Sequence, residues 1–325
     1  MSWLSRRDPS GPVVVITGAS SGIGRATAQA FACRGAGVVL AARSAEGLAA
    51  AERECVAQGA TALAVPTDVS DPQQVEALLA AARQQFGRVD VVVHSAAVLA
   101  YGRFEDIPAE VFDRVITVNV TGTANVGRAA LRCFRDQGGG RLIVVGSLLG
   151  NVATPFLSPY ITSKWAIHGL IRTLRLEARE LPGVRVGLVW PGAVNTPMYL
   201  QAGNYAGRVG RPPPPVMSPE KVARRIVRAA ERPGRSMPVG PANHVMVFGF
   251  RRLPAVFEAL AVPFMRASGL SRQPIGAGPG NVFEPRPDGE AVHGRWGRHW
   301  LRPVALASTA GAATAVRVAL RRRQR

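Results

Sequence analysis

Short runs of Val, Leu and Ile alternate with longer segments of helical spacing from residue 13 to about residue 190. The strand-like runs are 13–17, 38–42, 62–65, 89–94, 142–145 and 184–190. They are continuously apolar rather than alternating, which suits strands buried on both faces of a parallel sheet. Pro72 falls where a first helical turn would begin, with Ser70 and Asp71 before it as caps. Repeated strand–helix units joined by right-handed crossovers predict an α/β fold with a doubly wound sheet.

The rhythm breaks at residues 201–217. Gly203, Gly207, Gly210 and the proline run 212–215 predict a mobile loop with a stiff end. A helix over 219–230 and a last strand near 237–239 follow. From Pro241 the regular alternation stops. Residues 245–265 are apolar but interrupted by Arg251, Arg252, Pro254 and Pro263. A membrane span needs about 20 mostly apolar residues, so this stretch fits an amphipathic surface segment, a substrate-entrance cover or a dimer contact. Residues 271–300 are rich in Gly, Pro and Arg and predict irregular or disordered chain. The stretch 303–320 is Ala-rich and ends in Arg321, Arg322 and Arg323. It would anchor weakly at best, because alanine and threonine drive insertion poorly. The organisation is therefore a unit at 12–240 and a basic, partly irregular extension at 241–325.

Charge sharpens that division. The 325 residues carry a formal +19, and of the 40 basic residues only Lys164 and Lys221 are lysines. Beyond residue 240, 13 arginines face four acidic residues. A soluble basic surface is the favoured reading, with peripheral membrane association through the extension as the alternative. Nucleic acid is not an expected partner, since neither a recognition motif nor an aromatic stripe accompanies the arginines. Cys33, Cys55 and Cys133 are odd in number and lack metal-ligand spacing. Each falls in a helical pattern, so packing roles, no metal site and a reducing compartment are expected. The apolar run after Arg6 and Arg7 covers only 13–16, too short for a signal-peptide core, and a cytoplasmic location follows.

The candidate chemistry begins at Thr17-Gly18-Ala19-Ser20-Ser21-Gly22-Ile23-Gly24, between the first strand and the first long helix. Glycines let the backbone approach a pyrophosphate, and a helix start offers free N–H groups and positive dipole. Such a turn after the first buried strand of an alternating α/β pattern reads as a dinucleotide site. The second strand ends at Arg43, where an acidic residue would bind a ribose 2′-hydroxyl and a cation would welcome a 2′-phosphate. Arg43 thus favours NADP(H) over NAD(H), with Arg25 as a second cation on the loop side. Asp68, after the third strand, is placed to accept from an adenine amino group or to cap a turn.

Tyr160 and Lys164 stand one helical turn apart, on one face of a helix. A free tyrosine, with a pKa of about 10, is a poor base at neutral pH, and a neighbouring ammonium favours its phenolate. Ser147 ends the fifth strand-like run, 13 residues earlier, at the carboxyl edge where open α/β sheets bind ligands. Its hydroxyl is suited to a substrate carbonyl as charge develops there. Asn119 interrupts the apolar face of the preceding long helix and reads as solvated or as a kink-maker holding a water. Pro191-Gly192 ends the sixth strand and turns the chain across the cofactor.

In order and spacing, Thr17–Gly24, Asp68, Asn119, Ser147, Tyr160, Lys164 and Pro191-Gly192 resemble the short-chain dehydrogenase/reductase family over about residues 12–240. The resemblance implies a Rossmann-type seven-stranded parallel sheet of order 3-2-1-4-5-6-7. It implies Tyr160 as general acid/base, Lys164 as its electrostatic partner and ribose ligand, Ser147 as substrate orienter, and Asn119 as holder of a proton-relay water. It also places Val69, Ala96, Val194 and Thr196 on the cofactor. The activity implied is alcohol–ketone or alcohol–aldehyde interconversion by a homodimer or homotetramer; a non-catalytic NADP-binding sensor is the rival. One departure stands out. The family usually has Asn-Asn-Ala-Gly after strand four, and this chain has His94-Ser95-Ala96-Ala97. Altered sheet bonding or weaker cofactor affinity is expected, with His94 structural. Met198, Tyr199 and Tyr205, after Gly192, are expected to line an apolar substrate pocket.

Overall fold

The computed structural model describes residues 11–232, 236–240 and 242–297. Strand β1 (Val13–Thr17) leads into helix α1 (Gly22–Ala32), followed by β2 (Gly37–Ala42), α2 (Ala45–Ala57), β3 (Ala62–Pro66), α3 (Pro72–Phe86) and β4 (Val91–His94). A two-residue strand β5 (Ala100–Tyr101) precedes α4 (Ala109–Ile116), α5 (Gly122–Asp136), β6 (Gly140–Val145), α6 (Ser158–Glu177) and β7 (Val184–Pro191). Then come α7 (Met198–Gln201), β8 (Gly203–Asn204), β9 (Arg208–Gly210), α8 (Pro219–Glu231), β10 (Met237–Val239), α9 (Ala242–Arg252), α10 (Pro254–Phe264) and β11 (Leu270–Pro274).

Seven strands form one sheet in the order β10-β7-β6-β4-β1-β2-β3. Every pair in it is parallel. The expected order is thus observed, counting the main-sheet strands alone. Both faces of the sheet are covered. Val15, Val39, Val92, Leu142 and Val144 pack toward α3, α5 and α6. Their neighbours Val14, Val38, Val93, Ile143 and Val145 pack toward α1, α2 and α8. Successive side chains point to opposite faces, so two covered faces require apolar residues at every position. The helix starts follow local chemistry: Ser44 accepts from the Gly47 N–H at 3.1 Å, and Asp71 accepts from the Gln73 N–H at 2.8 Å before Pro72. Chain order reverses between β1 and β4, which opens a crevice at their carboxyl ends.

Several expectations need correcting. Residues 201–217 are not a free loop: β8 pairs with β5, and β9 pairs with β11. Those partners lie far along the chain, beyond the reach of a local reading of Gly and Pro. β11 and the chain after it are likewise held by backbone bonds, such as Asn281 N–H to the Gln201 carbonyl at 2.8 Å. Cys55 and Cys133 are buried as expected, but Cys33 is exposed just past the end of α1. Residues 245–265 form α9 and α10, with Pro254 opening the second helix. No residue of α10 is buried, and Val256 and Leu260 stand 55% and 60% exposed. Among the described residues no helix is long and apolar enough to cross a membrane. Residues 303–325 and Arg6 and Arg7 lie outside the described residues.

Candidate active site

A groove runs along the carboxyl edge of the sheet from the glycine loop to α7. It is lined by Gly18, Ser20, Ser21, Gly22, Ile23 and Gly24, then by Arg43, Asp68, Val69 and Ala96, and then by Ser147, Tyr160 and Lys164. Pro191, Gly192, Val194, Thr196, Met198 and Tyr199 complete the far wall. Thr17, Asn119 and Tyr205 do not line it.

The glycine loop is shaped by close approach. Gly18 adopts φ +71°, and a Cβ on it would lie 2.8 Å from the Ala96 nitrogen. A Cβ on Gly24 would lie 2.0 Å from the Gly18 carbonyl oxygen. The first turn of α1 is therefore wound tightly against the loop, leaving backbone N–H groups at a helix start, a geometry suited to phosphate. Arg43 lines the groove just past the end of β2. Arg25 is not a second free cation there. It is buried, and its guanidinium grips Glu54 at 2.6 and 2.9 Å. Asp68 is similarly engaged: it accepts from the Ser70 hydroxyl at 2.7 Å and from Arg114 at 2.6 Å. Burial raises its pKa, but the bonds from Ser70 and Arg114 outweigh that and hold the carboxyl below its ordinary value.

The unusual His94 takes up the tie between strands. Its Nδ1 bonds the Thr17 hydroxyl at 2.8 Å and its Nε2 the Thr123 hydroxyl at 3.0 Å, linking β1, β4 and α5. Thr17 is thereby spent inside the sheet. Burial, with Lys164 nearby, lowers the His94 pKa to about 3.

Asn119 is neither solvated nor in regular α-helix. It sits in a π-helical turn, Thr117–Thr121, between α4 and α5, and is fully buried. Its Oδ1 accepts from the Val98 N–H at 2.9 Å. Its Nδ2 donates to the Val98 carbonyl and the Ser163 hydroxyl, both at 2.9 Å. Both amide protons are committed, so the side chain ties the segment after β4 to α6 beside Lys164. The extra residue of the π turn rotates Asn119 inward, which a 3.6-residue periodicity does not reveal.

Helix α6 carries Tyr160, Lys164 and His168 at successive turns of one face. The Tyr160 hydroxyl faces the Ser147 side chain, which favours its ionised form. The Lys164 ammonium lies 5.3 Å from the Tyr160 ring centre and donates to the Val145 carbonyl at 3.4 Å. Burial pushes the phenol up to about 12, against the lowering influence of Ser147, and lowers Lys164 to about 8. The expected lowering of the phenol is therefore not a property of the protein alone; desolvation of the phenolate wins. His168 is a positioning residue that sequence reasoning missed. Its Nε2 faces the Ser147 N–H at 3.5 Å, and it packs between Gly146 and Gly150, supporting the turn that presents Ser147. The i+8 spacing from Tyr160 was the available signal. Tyr101, fully buried, also lines the groove and was not anticipated; Phe264 and Met265 line it from the 245–265 stretch, for which a substrate-entrance cover was one expectation.

Burial, again with Lys164 adding to it, lowers His168 to about 4. An unfolded histidine protonates near 6.5, so as pH falls the unfolded chain takes up these protons first. Both folded pKa values are depressed, and the stability present above about pH 6.5 drains away below it. His94→Asn is expected to make the acid limb of unfolding free energy shallower by about one proton, read from urea melts between about pH 7 and 4.5. An unchanged slope would remove His94 from this account.

Residues 12–204 match the family described as short chain dehydrogenase. The uncharacterized oxidoreductase YxnA of Bacillus subtilis is 35% identical over 265 residues, covering 81% of this chain and 74% of the relative. A short chain dehydrogenase/reductase from Burkholderia phymatum, solved in complex with NAD, aligns with a TM-score of 0.67 at 28% identity, over 82% of this chain and 98% of that one. An alcohol dehydrogenase from the archaeon Thermococcus sibiricus, complexed with 5-hydroxy-NADP, aligns at 0.60 and 32%, over 70% of this chain and 94% of that one. A family match across more than half of the sequence, on a sheet of the matching strand order, leaves one assignment: the chain belongs to the short-chain dehydrogenase/reductase family of oxidoreductases.

Proposed function

We propose that this chain is an NADP(H)-dependent oxidoreductase interconverting an apolar alcohol with its ketone or aldehyde. The observation that carries the reading is the meeting of Ser147, Tyr160 and Lys164 in one groove with the glycine loop. The loop fits a dinucleotide, because Gly18 and Gly24 let the turn close tightly on the backbone around it, bringing the N–H groups of a helix start to the groove. Arg43 in the same groove supports the 2′-phosphorylated form, with NAD(H) as the second choice. The nicotinamide, when bound, supplies or accepts the hydride. Tyr160 gives its phenolic proton to the substrate oxygen in reduction and takes it back in oxidation. Ser147 donates a hydrogen bond to that oxygen as negative charge builds there. Lys164 lends positive charge to the phenolate side of the transfer and offers N–H donors to ribose hydroxyls.

Leu149, Leu157, Met198, Tyr199, Phe264 and Met265 give the substrate end an apolar lining, which favours an uncharged substrate. The catalytic unit is assigned to residues 12–240 and the extension to 241–325. A cytoplasmic homodimer or homotetramer is the proposed form. The exposed apolar residues of α9 and α10, such as Phe248 and Leu260, are suited to a subunit contact or to a membrane surface. Nothing in the groove favours a non-catalytic sensor. Purified protein given NADPH and a panel of aliphatic and aromatic ketones is expected to consume the cofactor. No turnover with any ketone, nor with alcohols and NADP, would end the enzymatic reading.

A further inference from the structure

Beyond β11 the chain runs to residue 297 without a helix or strand, yet it is fastened to the body as a strap. The Gln201 amide donates to the Arg286 carbonyl at 3.1 Å. The Gly294 N–H meets the Asn195 carbonyl at 3.2 Å, and Val282 is wholly buried in the core. The strap follows the adenosine side of the groove. Arg43 donates to the carbonyls of Asn281 and Phe283 at 2.5 and 2.6 Å. The Gly22 N–H donates to the Ala291 carbonyl at 2.9 Å. The Ser20 hydroxyl donates to one oxygen of Glu290 at 2.9 Å. The other oxygen lies against Gly47 in the first turn of α2, in the space a Cβ there would claim.

These donors are the ones the dinucleotide reading assigns to cofactor phosphates: the glycine loop, a loop hydroxyl, the arginine after β2. A carboxylate and backbone carbonyls of the same chain now satisfy them. We infer that Glu290 is a specificity-determining residue for the cofactor, its carboxylate holding the seat that a ribose 2′-phosphate would take. The inference rests on the reading that Arg43 faces that ribose. NADP(H) must move Glu290 aside, since two anions do not share one set of donors. NAD(H) brings no anion to the seat, and its ribose hydroxyl can donate to the carboxylate. Arg43 and Glu290 therefore pull cofactor choice in opposite directions, and the extension tunes it.

Glu290→Gln keeps the shape and an acceptor for Ser20 but removes the charge. Titrating NADPH and NADH into the full-length chain and this variant, followed by nicotinamide fluorescence, is expected to show the NADPH Kd falling roughly tenfold while the NADH Kd holds or rises. Equal changes for both cofactors, or none, would overturn the assignment. Adenosine 2′,5′-bisphosphate against adenosine 5′-monophosphate repeats the comparison without the nicotinamide half. A preference for the bisphosphate that grows in the variant upholds the seat even if the proposed reaction fails. In the wild-type chain, NADPH is expected to hasten trypsin cleavage after Arg295 as the strap lifts. Protection of that site would show the strap closing over the cofactor, contrary to the inference.

Discussion

Tyr160→Phe is expected to lower turnover by about a thousandfold or more while leaving NADPH binding within about threefold of wild type. The substitution removes one oxygen and keeps the ring, which packs with Leu157, Ile161 and Met198 at the substrate end. The hydroxyl lost is the one that faces Ser147. Burial drives the hydroxyls of Tyr101 and Tyr199 further above their ordinary values, making both worse bases. Tyr160 is itself held near 12, so the phenolate forms only with help from positive charge. Lys164, lowered to about 8, carries that charge below pH 8 and loses it above. Undiminished turnover of a ketone by the phenylalanine variant would remove the proposed proton path, whatever the cofactor.

The second large effect is expected at the glycine loop. Gly24→Ala adds one methyl 2.0 Å from the Gly18 oxygen and 2.6 Å from its carbon, both backbone atoms. Neither can swing away as a side chain would, so α1 must withdraw from β1 or the loop must open. Overpacking of this kind costs about 1–3 kcal/mol. If the loop carries the distortion, cofactor affinity falls by about a hundredfold at the upper end of that range. If α1 carries it, the midpoint of thermal unfolding falls, because Ala28 and Phe31 of α1 are wholly buried under the sheet. Calorimetric titration with NADPH and a thermal melt on the same sample separate the two. A variant unchanged in both would show that this close approach does not shape the site.

The strands, the helices between them and the position of the site were legible because their signals are local. A run such as Val13–Ile16 is apolar at every position only when both faces are covered, and that alone indicates a parallel, helix-flanked sheet. A tyrosine and a lysine four residues apart share a helix face wherever the helix sits. What was missed is contact between distant segments. Arg25 reads as a free cation until Glu54, on a neighbouring helix, takes it. Asn119 reads as solvated until a π turn brings it to Val98 and Ser163. The chain from Gly203 reads as loose until β5 and β11 pair with it.

Periodicity and residue chemistry therefore determined the sheet, the glycine turn and the serine–tyrosine–lysine set, since each depends on spacing within a few turns of chain. Tertiary structure alone decided which charged groups are free, and how burial sets the phenol and the ammonium. It alone decided that a carboxylate from residue 290 lies beside Ser20. The reason is physical: desolvation and ion pairing depend on what lies within a few ångströms in space, and those neighbours stand up to 270 residues away in the chain.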